Sequence, residues 1–242
     1  MTNTELTHSV IKQFAKENNK AFFRESDIVW TLQKKLIEAL EKTEYKVFHE
    51  YPVKPPVPLR ITFAKWDKCK ELLKNSKQKI SILEKFYSKH NRHHILDPNT
   101  TKTDINNIIK PIIAETENAG KGEKEFEPIY MDLAIVKMVD DKTDLETKPE
   151  IIIQVKYEPD IKKRNGRDFR KNRTEIINSK ADIEYDLRTI DHCLHHKEIA
   201  CGFFVFLNEA ERYKDYPKEY KNGEIECNGN NLWVFQKNKT NK

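Results

Sequence analysis

Two short apolar runs constrain this chain more than any other feature. Ile129–Val136 reads Ile-Tyr-Met-Asp-Leu-Ala-Ile-Val, and Glu150–Tyr157 reads Glu-Ile-Ile-Ile-Gln-Val-Lys-Tyr. Both have strand length and strand composition, and the polar, turn-like stretch Val139–Pro149 between them predicts a hairpin. Each run also carries residues that an apolar strand should not hold: Asp132 in the first, Gln154 and Lys156 in the second. Side chains alternate across a strand, so Gln154 and Lys156 leave one face while Ile151, Ile153 and Val155 leave the other. An acid and an ammonium embedded in such strands cost free energy unless something pairs them. Two solutions are open at this point: a metal ion with its water, or a plain Asp132–Lys156 salt bridge.

The rest of the chain supplies the frame. From Glu25 to Lys42, Val29, Leu32, Leu36 and Leu40 recur at three- and four-residue spacing, which predicts a helix. Lys46–Val53 reads as a strand, ended by the proline-rich run Pro52–Pro58. Residues 61–107 read as a charged helical insertion, with Leu72, Leu73, Ile80, Leu83, Phe86 and Tyr87 as its candidate buried positions. Ile108–Glu115 reads as a further strand, Ile183–His196 as a helix, and Ala200–Leu207 and Leu232–Gln236 as closing strands. Helix, strand, insertion, strand pair, helix and strand in that order predict a single α/β domain over 1–242, with a mixed central sheet flanked by helices. Trp30, Trp66 and Trp233 are expected in the core.

Composition excludes several classes. The 242 residues can bury a sizeable core, and 12 Phe, 9 Tyr and 3 Trp are too many for a disordered chain despite 34% charged residues. The longest strongly apolar stretch, Cys201–Leu207, is too short for a bilayer, so no membrane partner is expected. The first residues lack the basic-then-apolar pattern of a secretory signal, and the four cysteines are scattered, which together predict a reduced, cytoplasmic setting. Six glycines form no phosphate-binding loop. His192, His195 and His196 beside Cys193 have helical spacing that would suit zinc, but no second Cys/His cluster with zinc-site spacing accompanies them. His90, His93 and His94 sit in a polar stretch.

Glu25 joins the strand residues. It lies 4, 7 and 11 residues before Val29, Leu32 and Leu36, on the stripe that faces the core, whereas Glu38 and Glu41 fall on the opposite side. The set Glu25, Asp132 and Gln154-Val155-Lys156 resembles the PD-(D/E)XK, or restriction-endonuclease-like, nuclease superfamily. There a helix Glu precedes a strand Asp, and the next strand carries (D/E)-x-Lys. The likeness spans roughly residues 22–53, 108–157 and 180–207, leaves the 61–107 insertion outside, and extends to the wording Glu-Ser-Asp-Ile-Val at 25–29 and Gln-Val-Lys-Tyr-Glu-Pro at 154–159. The departure is Gln154, which stands where the family has an acid. A Gln carbonyl oxygen can ligate Mg²⁺ but adds no charge, and Glu50 would restore that charge if its strand lies beside the hairpin. Glu150 shares the face of Gln154 but sits four residues along.

The resemblance implies a restriction-endonuclease-like fold and a Mg²⁺-dependent endonuclease, with Mn²⁺ as a substitute ion and DNA favoured over RNA. Asp132, Gln154 and the Val155 carbonyl, with Glu50 as a further candidate, would hold the ion. Lys156 would orient or help deprotonate the attacking water, and Glu25 would place a water or a second ion. Restriction enzymes are often dimers, so a homodimer stays open, although no dimer helix is evident. A basic run follows: Lys162, Lys163, Arg164, Arg167, Arg170, Lys171 and Arg173 against the single acid Asp168 make a net +6, more than the +5 of the whole chain. Such a run grips phosphates without reading sequence, and Phe169 within it is a candidate stacking group. Two other readings remain. One is a nucleic-acid-binding module that lost metal affinity through Gln154. The other is a partner-binding protein whose insertion is the interaction surface and whose Asp132 and Lys156 form a salt bridge.

Overall fold

The second apolar run lies in the interior of a six-stranded sheet. A computed structural model describes residues 2–17, 24–54, 57–90, 93–119, 128–138, 148–158, 173–196, 199–208, 224–227 and 232–238. In chain order the elements are α1 (Asn3–Glu17), α2 (Glu25–Leu40), β1 (Tyr45–Val53), β2 (Arg60–Thr62), α3 (Phe63–Leu72), α4 (Lys77–Phe86), β3 (Tyr87–His90) and β4 (His93–Leu96). They continue with a short α5 (Lys102–Asp104), a π-helical turn (Ile105–Ile109), α6 (Lys110–Asn118), β5 (Ile129–Lys137), β6 (Ile151–Glu158), α7 (Arg173–His196), β7 (Cys201–Asn208), β8 (Glu224–Cys227) and β9 (Leu232–Asn238). Contacts divide the chain into two compact units. One comprises Met1–Pro52, Tyr130–Leu194 and Glu198–Lys242; the other comprises Val53–Ile129 and His195–Lys197.

The first unit is a mixed sheet flanked by helices. Its strand order is β1-β5-β6-β7-β9-β8. β6 runs antiparallel to β5 and parallel to β7, and β9 is antiparallel to both β7 and β8. β6 and β7 are buried almost throughout because both faces of the sheet are covered, which is why their sequences are continuous apolar runs and not alternations. Ile151, Ile153, Val155 and Tyr157 of β6 share a core with Phe203 and Val205 of β7, Ile11 and Phe14 of α1, and Ile28, Leu32 and Leu36 of α2. On the other face Ile190 and Leu194 of α7 close over Gly202 of β7, where an added Cβ would overlap Ile190. Pro52 falls in β1, an edge strand of the sheet, the setting in which proline is tolerated.

The second unit is smaller and not purely helical. Where 61–107 reads as a helical insertion, α3 and α4 accompany an antiparallel sheet of order β2-β4-β3. Thr62 and Ser76 open the two helices, each accepting a hydrogen bond from a backbone N–H of the first turn. Trp66, Leu73, Leu83, Phe86, Tyr87, Ile105, Ile109 and Ile113 form its core.

Three expectations need correction. Ile108–Glu115 is not a strand; it lies in the π-helical turn and α6. Ile105, Ile109, Ile112, Ile113 and Thr116 are its buried positions, a helical period that a window beginning at Ile108 hides. Pro111 does not break it because it falls in the first turn of α6. Trp30 is not core: it is 60% exposed, whereas Trp66 is buried. Leu72, on the outer side of α3, is also exposed, unlike Leu73. Trp233 has its side chain outside the described residues.

Candidate active site

The site begins where two strands stop pairing. The β5–β6 register runs from Ile135↔Ile151 to Leu133↔Ile153, whereas β6 stays paired with β7 as far as Glu158↔Asn208. Beyond Ile153 the edge of β6 that faces β5 therefore has amides in need of acceptors, and carboxylates supply them. Asp132 Oδ2 accepts from the Val155 N–H at 2.6 Å. Two residues on, Glu25 Oε2 accepts from the Tyr157 N–H at 3.0 Å. Alternation along the strand puts these two amides on one edge, so acids from β5 and from α2 sit side by side along it. In a strand the N–H and C=O of a residue leave the same edge, so the Val155 carbonyl faces the Asp132 side as well.

Glu25 reaches this edge because of its place on α2. It opens the helix, three and four residues ahead of the buried Ile28 and Val29, so it continues their stripe past the end of the apolar cover. Asp27 anchors the same turn by accepting from the Arg24 N–H at 2.9 Å. Glu38 and Glu41 are exposed, on the outer side of the helix.

Gln154 has a different part from the one its motif position suggests. Its Nε2 donates to the Tyr130 carbonyl at 3.2 Å and lies 3.4 Å from Met131 Sδ, while its Oε1 accepts from the Asp132 N–H at 3.4 Å. The carboxamide thus takes over from the missing stretch of ladder, with one donor and one acceptor as a peptide group has. A carboxylate could accept from Asp132 but could not donate to Tyr130, which gives a physical reason for Gln at this position.

Lys156 stands between two acids. Its Nζ lies 3.7 Å from Glu25 Oε2 and 3.9 Å from Asp186 Oδ2, with side-chain exposures of 24%, 38% and 14% for Lys156, Glu25 and Asp186. The ammonium is therefore open to solvent yet directed by carboxylates on both sides. Asp132 is harder to ionise than an ordinary aspartate. Burial pushes its carboxyl up to about 6, helped by the neighbouring Glu25 charge and opposed by the Val155 N–H and by the charges of Lys156 and His49.

Sequence reasoning missed Asp186 and His49. Asp186 lies three residues after Ile183 and four before Ile190, both buried, so it interrupts the apolar stripe of α7 as Glu25 interrupts that of α2. His49 has no such signal: it is exposed on β1, and only the pairing of β1 with β5 brings its charge towards Asp132. Glu50, beside it, is exposed and has φ of 49°, a left-handed conformation that breaks the alternation of β1. Among the described residues no three His, Cys, Asp or Glu side chains gather as a cation site, so Glu50 does not complete a triad with Glu25 and Asp132. On α7 His192 and Cys193 are buried and His195 is exposed. The basic residues Lys162, Lys163, Arg164, Arg167, Arg170 and Lys171 lie outside the described residues; Arg173 opens α7, and its side chain lies outside them too.

Oxygen donors lie along this edge of β6: the Asp132 and Glu25 carboxylates on its amides, the Val155 carbonyl, and the Gln154 amide oxygen on the Asp132 N–H. Two carboxylates, an amide oxygen and a backbone carbonyl are all oxygen donors, the type Mg²⁺ takes. The elevated Asp132 carboxyl beside Glu25 marks negative charge crowded into a poorly solvated place, which a cation would relieve. No family model, curated protein or solved structure matches the chain.

Proposed function

We propose that this chain is a Mg²⁺-dependent nuclease with a restriction-endonuclease-like fold, hydrolysing phosphodiester bonds as a DNA endonuclease. The observation that carries the reading is the opened edge of β6, where the Asp132 and Glu25 carboxylates cap successive odd-numbered amides and the Lys156 ammonium stands 3.7 Å from Glu25. Asp132 and Glu25, with Gln154 Oε1 and the Val155 carbonyl, are the groups that would hold the ion. Bound Mg²⁺, or Mn²⁺ in its place, would supply polarisation of the scissile phosphate and a bound water of lowered pKa. Lys156, steered by Glu25 and Asp186, orients the attacking water and neutralises charge building on the phosphoryl oxygens. The net +6 run 162–173, beginning four residues after β6 ends, supplies cations for the flanking phosphates. Asp132 must be ionised to serve as a ligand, so Mg²⁺ binding, and with it turnover at subsaturating Mg²⁺, weakens as pH drops through about 6.

Plasmid cleavage in Mg²⁺ and in Mn²⁺ tests the proposal. Wild type should nick or linearise the plasmid, and Lys156→Ala should lose about a hundredfold or more of that rate. Equal inertness of the two proteins with both ions, on plasmid and on single-stranded DNA alike, would end the enzyme reading. The commitment of the Gln154 carboxamide to the β5 backbone favours a second reading, a nucleic-acid-binding module with a weakened cation site. Salt-sensitive DNA binding without metal-dependent turnover would be its signature.

A further inference from the structure

Tyr130 has no evident reason within the fold to be aromatic. It is 59% exposed, although it sits in a strand whose next residues run buried, half-buried and buried through Met131, Asp132 and Leu133. Met131 and Leu133 face the opposite side, so Tyr130 and Asp132 share one face, about 7 Å apart along the strand. Gln154 and Lys156 alternate onto the same face of β6, and Gln154 reaches back to the β5 backbone on either side of Met131. The Gln154 Nε2 bond to the Tyr130 carbonyl, 3.2 Å, pins the backbone from which the ring projects. An exposed ring on a pinned backbone thus lies two residues from the acid, on the same face of its strand.

Resting on the nuclease reading, we propose that Tyr130 is a stacking platform for an unpaired base next to the scissile phosphate, so that the substrate is single-stranded or locally unpaired DNA. A ring this close to Asp132 meets the base carried by the sugar adjoining the bound phosphate. In a duplex that base is covered by its neighbours on both faces, and presenting a face to Tyr130 requires unstacking. In a single strand the face is free, and aromatic stacking favours it whatever the base.

Fluorescence anisotropy with a labelled single-stranded oligonucleotide and with its duplex, in EDTA and again in Ca²⁺, tests this. Tyr130→Ala and Tyr130→Leu should weaken single-strand binding about tenfold or more and duplex binding less than about twofold, while Tyr130→Phe binds as wild type does. The leucine variant keeps apolar bulk without a π face, and the exposed position makes loss of folding a poor account of either result. Single-strand binding unchanged in Tyr130→Ala, or equal losses on both substrates, overturns the platform and leaves the nuclease reading standing. A wild type that binds neither substrate overturns both.

Discussion

Asp132 is where the residue scale matters most. Its carboxyl has an ordinary value of 3.8 and is pushed up to about 6 in the folded chain, chiefly by burial. Between those values the folded state holds a proton that the unfolded state has released, so stability falls as pH rises through that window and the loss is complete by pH 7. Two units correspond to about 3 kcal/mol, an upper figure for a partly buried group. Asp132→Asn should therefore be more stable than wild type at pH 7 by about 1–3 kcal/mol without divalent ions, and nearly equal to it at pH 4. Urea midpoints at the two pH values measure this, and a variant no more stable at pH 7 would show that the carboxylate is not under strain. Saturating Mg²⁺ should raise the midpoint of wild type and leave that of Asp132→Asn unmoved. Asp132 and Lys156 were legible in the sequence because a charge inside an apolar strand is conspicuous. The role of Gln154 was not, because which atoms its carboxamide meets depends on where β5 and β6 part.

At the scale of elements, the close approach of α7 to β7 depends on Gly202. Ile190, Ile152 and Leu194 surround the place where its Cβ would be, and Ile190 would have to move. Gly202→Ala should cost about 1–3 kcal/mol by overpacking, read from urea denaturation. If it costs nothing, α7 does not lie flush against the strand. Because α7 also carries Asp186, the same variant should disturb Lys156 and lower activity beyond what partial unfolding explains. Helix α2 was readable from its apolar spacing, Glu25 included, since a helix displays its buried face in the sequence. Residues 108–115 were misread because Ile-Ile-Lys-Pro-Ile-Ile satisfies a short strand pattern, and the helical period appears only when Ile105 and Thr116 are counted.

At the scale of the whole molecule, charge decides how a polyanion would be held. Replacing Lys162, Lys163, Arg164 and Arg167 by Gln should make the log–log dependence of duplex binding on salt shallower by up to about 3.6, and weaken binding at low salt whatever the DNA sequence. An unchanged slope would mean that these cations do not neutralise phosphates. Helix α2, the strands β5 to β7, their apolar layers, and the polar residues Glu25, Asp132 and Lys156 could be read from local pattern, because periodicity and misplaced charge are local properties. Only the tertiary structure decided that β5 and β6 separate after Leu133↔Ile153, that Glu25 and Asp132 take up the amides so exposed, and that Asp186 flanks Lys156 from α7. The physical reason is that an unsatisfied backbone amide, unlike an apolar stripe, leaves no mark in the order of residues. It exists only once the strands are laid beside each other, and whichever carboxylate is then in reach becomes part of the site.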